Sequence, residues 1–176
     1  VAAEALPECK AYLRIARDDE DADLARFAAT ALAMGEAFLG CALIVRDHEA
    51  VLPALAAWQR LAVGPVRSIA PVRGLPAEGA AFDLMVGDYA VDIDAAGDGW
   101  VRMNRPGAAG RVNVSFEAGL AHGWAGLPEP IRQGAMRLVA HLHGERDGSM
   151  AAPPAAVTAL WRPYRRLRVA VAEKAS

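Results

Sequence analysis

The sequence predicts an α+β fold: an α-helical core interrupted by a small antiparallel β unit and followed by an extended C-terminal tail. Three observations predict it. A long apolar stripe of helical period lies near the N-terminus, and helical patterning returns only after residue 126. The stretch between is rich in Gly and Pro and broken into short runs. The division that follows is 1–41 for the first part of the helical core, 42–126 for the β-rich insertion, 127–162 for the rest of the core and 163–176 for the tail. At 176 residues and 54% hydrophobic content the chain can bury a real core. Much of that content is alanine, and only four Phe, three Tyr and four Trp supply large side chains. The core is therefore thin, and neighbouring subunits are expected to supply part of its burial.

Residues 4–15 read as a short helix, with Leu6, Cys9, Tyr12 and Leu13 near helical spacing. "RDDEDAD" follows, and its Asp19, Asp21 and Asp23 alternate as at the start of a calcium loop. The sixth loop position is Leu24 where glycine is required, and the twelfth is Thr30 where a bidentate glutamate is required. These carboxylates are expected instead to cap the next helix and to sit at the positive end of its dipole. That helix spans residues 20–39. Leu24, Phe27, Ala28, Ala31, Gly35 and Phe38 form its stripe, Ala29, Thr30, Ala33 and Ala37 leave other sides small enough for close helix contact, and Gly40 ends it.

From Ala42 the texture changes to "ALIVRD", "VRSIAPV", "FDLMV", "YAVDI", "WVRMN" and "RVNVSFEAG". The last alternates Val112, Val114 and Phe116 against Arg111, Asn113 and Ser115, as a half-buried strand does. "DAAGDG" is hairpin chemistry. Asp92, Asp94 and Asp98 lie there, but Ala96 and Met103 stand where further oxygen ligands belong, so they read as turn carboxylates. Helix returns at "LPEPIRQGAMRLVAHLHGERDG", with Pro130 suited to a first helical position. Ile131, Ala135, Leu138, Val139 and Leu142 form its apolar face, and Gln133, Arg137 and His141 a polar stripe. Gly148, Pro153 and Pro154 separate it from a last helix in which Val157, Leu160, Trp161 and Tyr164 are spaced for burial. Pro163 disfavours helix at Arg162.

Charge and motifs narrow the function. The formal net charge of −2 argues for neither a nucleic-acid coat nor a membrane binder. From Leu127 onward eight Arg or Lys stand against four Asp or Glu, whereas the preceding part has eleven against seventeen. Such polarity suits acidic faces stacking on basic ones, or a basic tail reaching a partner. Cys9 and Cys41 form no CxxC pair, which disfavours zinc and a disulfide framework and makes a reduced, cytoplasmic setting the default. No apolar run approaches the about 18 residues of a membrane span, and no signal peptide is visible. The nucleotide, nucleophile-elbow and zinc motifs are all missing. His141 and His143 lie about 200° apart around a helix and cannot face one metal; His143 reads as partly buried and His141 as a surface residue. His48 and His122 have no acid or nucleophile beside them. Cys9 and Cys41 lack an activating cation and read as small core residues. The expectation is no enzyme, no cofactor and no metal.

The chain closes on "RPYRRLRVAVAEKAS", with four arginines between Arg162 and Arg168. Leu167, Val169 and Val171 fall on one side of an extended chain, Arg166 and Arg168 on the other. This strand could return to the protein's own sheet or add to the sheet of another molecule. A nucleic-acid-binding module built on the basic C-terminal third is the alternative reading. The aromatics beside it, Trp161 and Tyr164, are better explained by core spacing.

Four stretches carry a resemblance: "KAYLRIARDDEDADLARFAATALAMGEAFLG", "GDYAVD", "VSFEAGLAHGWAGLPEPIRQGAMRLVAHLHGERD" and "LWRPYRRLR". Together, and in this order, they resemble the head–tail connector (adaptor) proteins of long-tailed bacteriophages. The Ala- and Arg-rich composition looks most like the adaptor of an alphaproteobacterial gene transfer agent. Gly134 departs from the Ala more usual in that family. The resemblance implies a structural protein of the particle neck, assembled in the bacterial cytoplasm as a closed, dodecameric ring beneath the portal. It implies the portal protein and the next neck protein (stopper) as partners, with DNA passing through the channel without sequence-specific binding, and no membrane. Carried onto this chain, the portal-binding positions are Arg162, Tyr164, Arg165, Arg166, Leu167, Arg168 and Val169. The residue chemistry agrees, since arginines suit carboxylates on a partner. The Ala-rich helix would pack against ring neighbours through Leu24, Phe27, Ala31, Met34 and Phe38, a heterologous contact that closes.

Overall fold

The structure, a computed structural model, describes residues 1–145 and 154–166. It is an α+β protein of two compact units. One comprises Val1–Ile44 with the described residues from Ala121 onward; the other is Val45–Leu120.

The first unit holds four helices: α1 (Ala2–Leu13), α2 (Asp21–Leu39), α3 (Glu129–Gly144) and α4 (Ala155–Trp161). The α2 stripe turns inward, with Leu24, Ala28, Ala31, Gly35 and Leu39 buried. Gly40, at φ 70°, closes the helix in the left-handed region, and its N–H donates to Glu36 O. The start of α2 differs from expectation. Glu20 is its N-cap, and no side chain caps the free N–H groups. The aspartates are drawn elsewhere: Lys10 Nζ of α1 reaches Asp18 at 2.5 Å and Asp21 at 2.7 Å, tying the two helices together. Asp21 and Asp23 still occupy the first turn, where the dipole favours them.

α3 begins with Pro130 in its first turn and buries Ile131, Ala135, Leu138 and Val139 as expected, while Leu142 is only half-buried. α2 and α4 both pack on α3. His143 accepts the expected half-buried position and meets Glu20 Oε2 at 2.7 Å. His141 is also partly covered, 3.3 Å from Glu145, rather than fully on the surface. Cys9 and Cys41 are buried and not joined in a disulfide, small core residues as the sequence suggests. The helical unit extends further into the chain than the sequence division. Ala42, Leu43, Ala121 and Trp124 are buried in it, Ala121 N–H donates to Leu43 O at 3.0 Å, and Trp124 N–H donates to Glu4 Oε2 at 2.9 Å. The run "ALIVRD" therefore spends its first residues on the helical core, and the first strand starts only at Arg46.

The second unit is built on β8 (Ala109–Ala118). The strand β1 (Arg46–Pro53) pairs antiparallel along one side, from Arg46↔Ala118 to Pro53↔Arg111. Its other side is shared by β3 (Val66–Ile69) and β4 (Arg73–Pro76), and β5 (Phe82–Asp83) pairs with β4. A second sheet has the order β2 (Gln59–Arg60), β7 (Gly99–Met103), β6 (Tyr89–Ile93). Both sheets feed one cluster: Val112 and Val114 are 0% exposed and Phe116 4%, and Val101 and Met103 join them. The alternation expected for "RVNVSFEAG" is thus realised. "DAAGDG" forms the β6–β7 hairpin turn. There Asp94 accepts N–H groups from Ala96 and Asp98 and the Trp100 Nε1–H, each at 2.9 Å, which makes it a turn carboxylate.

Candidate functional site

The described part of the arginine-rich segment begins where α4 ends. A 3₁₀ turn, Arg162–Tyr164, follows directly, and Arg165 is extended. Pro163 permits this tighter turn but no continuing α-helix. The turn is aimed by Trp161, which is 3% exposed and donates Nε1–H to Ile131 O at 3.1 Å. The indole lies over Gly134 of α3, where a Cβ would overlap Trp161 Nε1, and against Gly35 of α2. Phe38 meets the same indole at 6.1 Å between ring centres. Gly134 has a physical meaning here: the missing methyl is what lets Trp161 lie down on α3.

The next residues fold back onto α2. Arg165 sets its guanidinium 5.5 Å over the Phe38 ring. Arg166 N–H donates to Leu39 O at 2.8 Å, which satisfies one of the orphan carbonyls of the last turn of α2. A Cβ at Gly40 would stand 3.0 Å from Arg166 O, so the glycine that ends α2 also makes room for the returning chain. Two arginines beside the negative end of a helix dipole are favourably placed. The sequence places the start of the tail at Pro163; of its described residues, Arg165 and Arg166 meet Phe38 and Leu39 of their own subunit.

The portal-binding set is accordingly divided. Arg162 and Arg165 are exposed, Tyr164 and Arg166 are half-buried, and Leu167, Arg168 and Val169 lie outside the described residues. The ring-interface set is divided more sharply. Leu24 and Ala31 are 0% exposed and have no surface left for a neighbour. Phe27 packs edge-on to His143, and Phe38 is occupied by Trp161 and Arg165. Met34, 36% exposed, keeps an open side chain, flanked on α2 by exposed Ala29, Thr30, Ala33 and Ala37. The helical periodicity found the inward stripe, and an inward stripe cannot also be an outward one.

Burial pushes the Cys9 thiol up to about 11, with the Glu8 carboxylate adding to it, so no reactive thiolate forms at neutral pH. Glu4 is held below its ordinary value, chiefly by the Trp124 N–H. Among the described residues no cluster of metal-ligating side chains forms, and no helix is long and apolar enough to cross a membrane.

No protein-family model and no curated protein matches the chain. Solved structures do. The chain is similar to one in the neck of an empty gene transfer agent particle computed with C6 symmetry, at 28% identity over 98% of this chain and 95% of that one, with a TM-score of 0.77. It is similar to one in the virion of a native gene transfer agent particle, at 29% identity over 96% and 93%, with a TM-score of 0.74. A third match is in the neck of a native particle computed with C12 symmetry, at 28% identity over 98% and 94%, with a TM-score of 0.72.

Proposed function

We propose that this chain is a ring-forming structural protein of the neck of a gene transfer particle, the adaptor that joins the portal to the tail-proximal proteins. The carrying observation is the similarity over nearly the whole length, in both units, to chains of such necks. Its role is structural and its place is the neck. A cyclic assembly accords with necks of C6 and C12 symmetry, and a dodecamer would be the finer form of that ring. DNA passes through its channel without sequence-specific contacts, and the chemistry of the protein is attachment rather than catalysis.

Portal attachment is assigned to the arginine-rich C-terminal segment. Arg162, Tyr164, Arg165 and Arg166 form its base, and Leu167, Arg168 and Val169 continue it by their alternation. The base supports this reading because Trp161, Phe38 and Leu39 hold it in one place, so the exposed Arg162 and Arg165 are presented in a set direction. Preorganised arginines suit carboxylates of a portal surface. Neighbour contacts within the ring are assigned to the Met34 side of α2.

The test follows the structure rather than the sequence division. A chain ending at Arg166 keeps every contact described above. It should melt as the full chain does and fail to co-purify with the portal. Retained portal binding would show that the grip needs nothing beyond the base at 162–166, and an unfolded product would place the last residues in the subunit's own core. Particles made without this chain should carry filled heads and no tails; tailed particles would overturn the neck assignment itself.

A further inference from the structure

The strand β6 ends its sheet, and no strand pairs with its outer side among the described residues. The hydrogen-bond phase shows which groups face outward. Asn104 N–H donates to Asp88 O at 2.8 Å and Asp94 N–H donates to Asp98 O at 3.0 Å. With the Tyr89↔Met103 to Ile93↔Gly99 register, the even-numbered residues turn their main-chain groups toward β7. Tyr89, Val91 and Ile93 turn theirs away, three donor–acceptor pairs along one edge. The side chains of Val91 and Ile93 are 41% and 38% exposed.

Exposed edges in proteins that stay monomeric are blunted by Pro, Lys, a bulge or a cover. β6 is short, five residues with one charge at Asp92, but it carries neither Pro nor Lys, and its register with β7 is unbroken over the whole strand. The edge is shaped to be paired.

We infer that the β6 edge receives an extended segment of the neighbouring copy in the ring, by β-augmentation with apolar side chains set against Val91 and Ile93. This rests on the ring reading above. Two like β6 edges would pair about a twofold axis, which a purely cyclic ring lacks, so β6 must meet an unlike surface. The neighbouring copy offers one at one-to-one stoichiometry in every assembled ring. It is therefore the partner that covers an undefended edge at all times. The contact is heterologous and closes with the ring.

The test is a photoreactive amino acid at Val91 of the full-length chain, irradiated in assembled particles. A product of twice the chain mass is expected. A product with a different neck protein, or none, overturns the inference. Val91→Pro supplies a second readout, because the N–H it removes turns away from β7 and pairs with no strand among the described residues, and edge positions tolerate Pro. The purified variant should keep its melting temperature and enter necks at least about tenfold less well, as expected for a blocked edge. Incorporation at the level of the unaltered chain overturns the inference. If Val91→Pro fails to fold, Val91→Lys keeps the backbone and places a charge on the same edge. The two readings fail differently: an unaltered chain missing from necks defeats the ring, whereas one present without chain-to-chain product defeats only this contact.

Discussion

In the helical unit the fit is made by taking side chains away. Gly35 and Gly134 leave a slot, and Trp161 fills it from α4, so three helices meet around one indole. In the β unit the fit is made mainly by branching: Val101, Val112 and Val114 turn inward and close the core, with absent methyls only beside it, at Gly99 next to Leu61 and Val66 and at Gly74 under Phe82. The helical unit thus depends on one large residue and two absent methyls, whereas the β unit spreads its burial over many medium side chains. The edges differ as well. Helices satisfy their own backbone groups, but the second sheet ends on β6 with three pairs of main-chain groups turned outward. Among the described residues, one unit keeps its main-chain groups within its helices, and the other leaves an edge that a further strand could join.

The largest expected effect breaks the helical half of that comparison. Trp161→Ala empties the slot and should cost about 3–5 kcal/mol in urea unfolding. Hydrogen exchange read separately in α3 and β8 sharpens it: α3 amides should lose protection first, and equal loss in β8 would mean that the two cores unfold as one. Next is Gly40→Ala, which forces a β-carbon into the left-handed region and against Arg166 O. About 1–2 kcal/mol is expected, with a weaker return of the tail onto α2.

Alkaline titration should act on the helical unit through Cys9. Its folded value lies above the unfolded one, so its contribution is fully present below pH about 9 and is lost as pH rises toward about 11. A Cys9→Ala chain should show a flatter fall in melting temperature across that window, and an unchanged slope would assign the loss to other groups. The smallest effect belongs to Arg165→Ala. It removes a cation from over Phe38 at an exposed site, worth about 0.5–1 kcal/mol by double-mutant cycle. Its portal binding should fall by more than that stability change accounts for.

Periodicity made part of this legible. The α2 stripe, the β8 alternation and the "DAAGDG" turn could all be read because each rests on neighbours in sequence. What escaped was decided at a distance. The acidic turn before α2 has the composition of a cap, but Lys10, from the preceding helix, claims Asp18 and Asp21. The residues "HEAVLP" of β1 put Glu49, Val51 and Pro53 on a solvent face and do not read as a strand until β8 pairs with them. The run "VRSIAPV" is a strand only over Val66–Ile69; Ala70 N–H still reaches Ser115 O, and β4 begins just beyond the run, at Arg73. The arginine base could be named from sequence but not located, since nothing local indicates that Arg166 N–H returns to Leu39 O. Leu24 and Ala31, expected at the ring interface, are buried within the subunit itself, because a pattern that reports burial says nothing about which partner does the burying.

Ile44 and Ala121 form a single parallel bridge, and Ala121 N–H reaches back to Leu43 O, so the chain leaves the helical body and rejoins it at adjacent points. The seventy-odd intervening residues are in effect a cassette on a closed doorway. A turn of a few residues spliced from 44 to 121 should regenerate the helical body alone. By the same route, relatives could exchange what hangs there and change what the neck meets while leaving the helical body that carries it untouched.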